Sequence, residues 1–150
     1  MIQRIQTLFL IVSTAILSLL YIFPLTEFSD DNSQIFNFSV FGIFADNEEI
    51  ISTIPLLILL SIVVLLSLIS IFAFKNRSLQ MRLSVFNILV LIGFIGMFAF
   101  YIFNTADSIN ANIHYTIFSV MPVISIILIY LAYRAIKRDE ELVRSADRIR

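Results

Sequence analysis

Pro55-Leu-Leu-Ile-Leu-Leu-Ser-Ile-Val-Val-Leu-Leu-Ser-Leu-Ile-Ser-Ile-Phe72 is the centre of a longer run, residues 50–74, that holds no Asp, Glu, Lys, Arg or His. Residues 5–23, 83–104 and 115–133 are equally free of these side chains. A helix of roughly 17–25 apolar residues crosses about 30 Å of hydrocarbon. In lipid each such run must be helical, because no water is present to satisfy its backbone. The β-branched residues Ile62, Val63, Val64, Ile124, Ile126 and Ile127 would favour strand in water, but the bilayer overrides that preference.

Composition agrees. Hydrophobic residues make up 59% of the 150-residue chain and charged residues 14%, against roughly 45–50% and about 25% in soluble domains. The net charge of −1 selects no partner. With no cysteine, disulfides, thiolate metal sites and dithiol redox chemistry are excluded. The single histidine, His114, excludes a multi-histidine metal site within the chain.

Proline and charge punctuate the runs. Pro24 closes the first and Pro55 opens the second, where its missing N–H is tolerated. Pro122 is expected about two turns into the fourth helix, bending it as a static kink rather than a hinge. The first run, preceded by Arg4, continues to Phe23 with no small-residue cleavage site, so it reads as an uncleaved anchor. All ten Lys and Arg residues fall on one side of a four-span arrangement: Arg4, then Lys75, Arg77 and Arg82, then Arg134, Lys137, Arg138, Arg144, Arg148 and Arg150. The other side carries the acids Glu27, Asp30, Asp31, Asp46, Glu48, Glu49 and Asp107 and no base. Basic loops stay in the cytoplasm. Tyr21, Tyr101 and Tyr115 near the outer interface, with Tyr130 and Tyr133 near the inner one, fit an aromatic belt.

The expected fold is therefore an all-α membrane protein. It is a four-transmembrane-helix bundle with both termini cytoplasmic and a short extracytoplasmic β-hairpin-like loop between helices 1 and 2. Spans are placed at about 5–23, 52–74, 83–104 and 115–134, with the outer loop at 24–51. Residues 1–136 form the membrane domain and 137–150 a cytoplasmic amphipathic tail. In the outer loop Phe36, Phe38 and Val40 alternate onto one face of an extended chain, expected to pack on the bundle, and Gly42 is placed to turn it.

The runs carry little chemistry. No ionisable residue lies inside a span, whereas ion-coupled transporters and small four-helix multidrug exporters mark their pathway with one. Serine and threonine hydroxyls within the spans are expected to bond back to their own helices. Asn87 needs a partner across helices, and Gly93 and Gly96, followed by Ala99, make a small-residue face; these are the candidate helix-packing residues. His114 reads as a solvated interfacial side chain. Asp46, Glu48 and Glu49 lack the spacing of a calcium loop. No catalytic, cofactor or metal site is assigned, and no enzyme is expected.

The tail is different. Leu142, Ala146 and Ile149, flanked by Val143, form a narrow apolar stripe. Glu140–Arg144 and Glu141–Arg144 are favourable helical pairs, while Arg144–Arg148 is a like-charge pair. Residues 134–150 hold six bases and four acids, net +2. Two readings stand: a helix resting on anionic headgroups, or a docking helix for a cytoplasmic partner. On the second reading the docking residues are Lys75, Arg77, Arg82, Arg138, Leu142, Val143, Arg144, Ala146, Arg148, Ile149 and Arg150.

Met1-Ile-Gln-Arg-Ile-Gln-Thr7, Phe74-Lys-Asn-Arg-Ser-Leu-Gln-Met-Arg-Leu83 and Asp139-Glu-Glu-Leu-Val-Arg-Ser-Ala-Asp-Arg-Ile-Arg150 resemble the family catalogued as domain of unknown function 4293. The resemblance covers the whole chain. It implies four spans in the inner membrane of a Gram-negative bacterium of the Bacteroidota, and it brings no activity, ligand or site residue. The expected function is a non-catalytic accessory or scaffold subunit of a larger inner-membrane assembly. Its partners are the lipid bilayer and other subunits of an envelope, secretion or translocation complex, with the ribosome or a cytoplasmic protein meeting the 75–82 loop and the tail. The alternative is a small oligomeric transporter or channel.

Overall fold

The computed structural model describes residues 3–29, 35–45, 48–109 and 111–147. The apolar runs give helices α1 (Gln3–Leu19), α2 (Ile54–Phe72), α3 (Arg77–Ile109) and α4 (Met121–Asp147). They pack in a ring: α1 on α2 and α4, and α3 on α2 and α4. Three of these segments, Ile54–Phe72, Arg77–Ser108 and Ile117–Val143, are long and apolar enough to cross a membrane. The apolar part of α1, Ile5–Leu19, is shorter.

The bundle is apolar outside and partly polar inside. Ile11, Leu65, Leu89 and Ile127, one from each helix, are more than half exposed, while Ser13, Ser67, Asn87 and Ser125 are buried. In water such an exterior would be a large unpartnered apolar surface; in lipid it is solvated. Some hydroxyls serve their own helices. Thr14 donates to the Leu10 carbonyl at 2.8 Å, Ser61 to Leu57 at 2.8 Å and Ser84 to Gln80 at 2.9 Å. Buried Ser13 donates across to the Ser125 carbonyl of α4 at 3.5 Å, and the hydroxyls of Ser70, Thr105 and Ser125 have no partner among the described residues. Asn87 Nδ2 instead donates across to Ser67 Oγ on α2 at 2.7 Å, tying α2 to α3.

The all-α class does not stand. One end of the bundle carries a five-stranded antiparallel sheet in the order β4-β3-β2-β1-β5. Its strands are β1 (Thr26–Ser29), β2 (Ile35–Phe38), β3 (Gly42–Ala45), β4 (Glu48–Ser52) and β5 (Asn112–Tyr115). The expected hairpin is thus a four-strand meander, joined on its β1 edge by a strand from the α3–α4 connection. Backbone amides at a bundle end still need partners, and pairing two separate connections satisfies both.

The sheet alternates as a half-buried sheet should. Phe28, Phe36 and Phe38 point inward, with Ile43 behind them, while Ile35 and Asn37 point out. Phe38 lies 5.4 Å from the Phe98 ring and 6.3 Å from the Tyr101 ring of α3, so the aromatic face packs on the bundle. Val40 is buried in the β2–β3 turn. The Thr53 hydroxyl before α2 is shared between the carbonyls of Val40 at 2.9 Å and Ser39 at 3.2 Å. Ser119 Oγ reaches the Leu25 carbonyl and sits 3.2 Å from Thr26 Oγ1, pinning β1 to the start of α4. Phe23 stacks on Phe118 with centroids 4.5 Å apart.

The fourth span also starts later than 115. Tyr115 belongs to β5, a 3-10 turn covers Ile117–Val120, and α4 begins at Met121. Pro122 is then the second residue of α4, where its missing N–H breaks no helical bond. Pro122 therefore does not lie two turns into the helix, where the sequence predicts that it bends the chain. At the other end α4 runs without interruption from the apolar run to Asp147, so the tail is its direct continuation.

Candidate functional site

The end of the bundle opposite the sheet gathers the starts of α1 and α3 with the second half of α4. The α2–α3 connection is one 3-10 turn, Ala73–Lys75. Asn76 follows it, and its Oδ1 accepts the Leu79 N–H at 3.2 Å, capping α3. One residue on, Arg77 lies at the root of α3. Gln80, a turn further, donates from Nε2 to the Ser70 carbonyl at 3.0 Å and supplies a partner to the last turn of α2.

Asp139 of α4 is the centre of a clasp. Arg77 Nη2 lies 3.2 Å from its Oδ2, and Arg77 Nη1 donates to its main-chain carbonyl at 3.2 Å. Gln6 Nε2 of α1 donates to the same Oδ2 at 3.3 Å. Asp139 is 9% exposed and Gln6 4%. A carboxylate so placed needs its charge answered and its lone pairs used, and the guanidinium and the amide do both. The clasp joins α1, α3 and α4. Each of the three segments that carry the family resemblance contributes one member to it: Gln6, Arg77 and Asp139.

The sequence singled out Arg77 as a docking residue; its guanidinium pairs with Asp139. Arg82 on α3 and Arg138, Leu142 and Val143 on α4 are exposed. Lys75 lies in the 3-10 turn, and Arg144 and Ala146 lie on α4. Arg148, Ile149 and Arg150 fall outside the described residues, as does Asp46. Of the packing candidates, Asn87 is brought against Ser67. Gly93 and Gly96 are exposed on α3, and a Cβ at either would meet no atom within 4 Å. They therefore provide no close approach between helices of this chain.

Beside the clasp a groove of about 480 Å³ runs along the outer faces of α3 and α4, lined by Ser78, Met81, Arg82, Val85, Phe86, Leu89 and Tyr133. A shallower depression shares Ser78, Met81 and Tyr133 and is bounded by Lys137, Glu140 and Glu141. On the sheet, His114 is not merely solvated: its Nε2 lies 2.9 Å from Ser29 Oγ, adding a side-chain link to the β1–β5 pairing. Among the described residues no three His, Asp or Glu side chains gather as a metal set.

A ring of helices with an apolar exterior, three of them long enough to cross a bilayer, is the build of a membrane protein. The chain belongs to the family described as Domain of unknown function (DUF4293), whose model matches residues 2–149. No curated protein and no solved structure matches the chain.

Proposed function

We propose that this chain is a non-catalytic accessory subunit of a larger inner-membrane assembly, holding a cytoplasmic partner with the clasped end of its bundle. The observation that carries the reading is the continuity of α4. The helix leaves the bundle without a break, is fixed to α1 and α3 through Asp139, and exposes Arg138 just before that point and Leu142 and Val143 beyond it. A rigid, anchored projection with apolar and cationic side chains suits docking better than a loosely tethered tail does. Four crossings with both termini inside are part of the same reading. The segregation of Lys and Arg supports it. So does the packing of α1 on α2 and α4, since its 17 residues extend about 25 Å at about 1.5 Å per residue and the apolar residues 20–23 follow it.

The test is purification in a mild detergent followed by mass spectrometry of the co-purifying proteins, for the full chain and for a truncation after Glu141. That cut preserves Asp139 and the clasp. Large partners recovered with the full chain and lost with the truncation are expected. A homo-oligomer alone, identical in both samples, would contradict the reading and favour the small transporter or channel.

A further inference from the structure

We infer that the groove between α3 and α4 binds one phospholipid of the cytoplasmic leaflet, with an aminophospholipid such as phosphatidylethanolamine as its preferred occupant. The inference rests on the membrane topology proposed above. The groove is graded along the helix axis. Leu89, Phe86 and Val85 form its apolar length, all of them well exposed. Arg82 lies at its upper part, and Lys137 and Glu141 on α4 bound the depression that continues it. From Ser78 to Leu89 is eleven residues of one helix. At about 1.5 Å each that is about 16 Å, close to half of a hydrocarbon core about 30 Å thick. The whole groove is about one leaflet deep. It is apolar from Leu89 to Val85, about 6 Å at about 1.5 Å per residue, and mostly polar or ionic from Arg82 outward, which matches the headgroup end of a lipid in its natural orientation.

The charges choose the headgroup. Arg82 and Lys137 offer donors to a phosphate, and Arg82 presents the planar fork suited to it. Glu141 lies one helical turn beyond Lys137 and lines the same depression, as does Glu140. A phosphatidylglycerol headgroup would bring only negative charge and hydroxyls to Glu141. A choline headgroup has a cation without N–H donors. The ethanolamine ammonium brings three N–H donors within reach of the carboxylate while its phosphate meets the bases.

The chain contains no tryptophan, so Phe86→Trp places a single fluorescent reporter in the groove at an exposed position. The variant is reconstituted in phosphatidylcholine vesicles in which a brominated-chain phosphatidylethanolamine, phosphatidylglycerol or phosphatidylcholine is added in turn as quencher. Quenching by the ethanolamine lipid is expected at several-fold lower mole fraction than by the other two. Adding Arg82→Ala and Lys137→Ala should lower its apparent affinity about tenfold, the size expected for a lost charge-assisted hydrogen bond. Glu141→Gln alone should bring the ethanolamine and choline lipids level. Equal quenching by all three lipids in the otherwise unmodified background, or stronger quenching by the glycerol lipid, would overturn the inference while leaving the membrane reading intact. No quenching by any lipid would instead overturn the membrane placement of α3, and the inference with it.

Discussion

Asp139 is the residue on which the basic end turns. It answers Arg77 twice, once with its carboxylate and once with its main chain, and it holds Gln6. Asp139→Ala should lower stability by about 1–3 kcal/mol, because two buried or half-buried donors lose their acceptor. The Arg77–Asp139 pair itself is a smaller part of that, since the Arg77 side chain is 25% exposed. A double-mutant cycle with Arg77→Ala should give a coupling of about 0.5–1 kcal/mol, read as shifts in unfolding midpoint in mild detergent. Asn87 behaves differently. Its amide N–H bonds Ser67, but its Oδ1 has no partner. A hydrogen bond between membrane helices contributes about 0.6 kcal/mol on average, so Asn87→Leu should change the same midpoint little. A large loss there would mean that Asn87 has a further role. The sequence marked Asn87 because an amide in an apolar run needs a partner. It could not mark the clasp, because Gln6 and Asp139 lie 133 positions apart and nothing local in either segment names the other.

At the scale of elements, the sheet is the part least legible beforehand. The alternation of Phe36, Phe38 and Val40 gave an extended chain with one buried face, and that face does lie on the bundle. Asn112–Tyr115 alternates polar Asn112 and His114 with Ile113 and Tyr115, but four residues are too few to read as a strand; they become one because β1 lies alongside, from Thr26 opposite Tyr115 to Ser29 opposite Asn112. The same pairing displaced the start of α4 and moved Pro122 from mid-helix to the first turn. The four helices, by contrast, were legible because uncharged runs of that length permit nothing else in lipid. Phe38 is the sheet's main anchor, fully buried against Phe28, Phe98 and Tyr101. Phe38→Ala should cost about 3–5 kcal/mol in docking the sheet and should appear as new protease cleavage within residues 24–52 while α2, α3 and α4 stay protected. Cleavage confined to the wild-type pattern would show that the sheet is held mainly by its other contacts.

The whole molecule has two unlike ends joined by a bundle with an apolar exterior. One end is a sheet whose described charged residue on β1 is Glu27. The other is a clasp of Gln6, Arg77 and Asp139 from which α4 extends. This division was legible in the placement of Lys and Arg alone, because charge is read by the membrane before any tertiary structure forms. What each end touches is not written in charge, and the co-purification above addresses it. The orientation of the two ends can be measured directly, since the chain has no cysteine and every introduced thiol is the sole one present. Asn37→Cys on the exposed face of β2 and Arg138→Cys on the exposed face of α4 should both be tolerated. With sealed spheroplasts and a membrane-impermeant maleimide, the account predicts labelling at position 37 without permeabilisation and at position 138 only after it. Labelling at position 138 in intact spheroplasts, or protection of position 37, would contradict the claim that this chain crosses the membrane an even number of times with its clasped end in the cytoplasm.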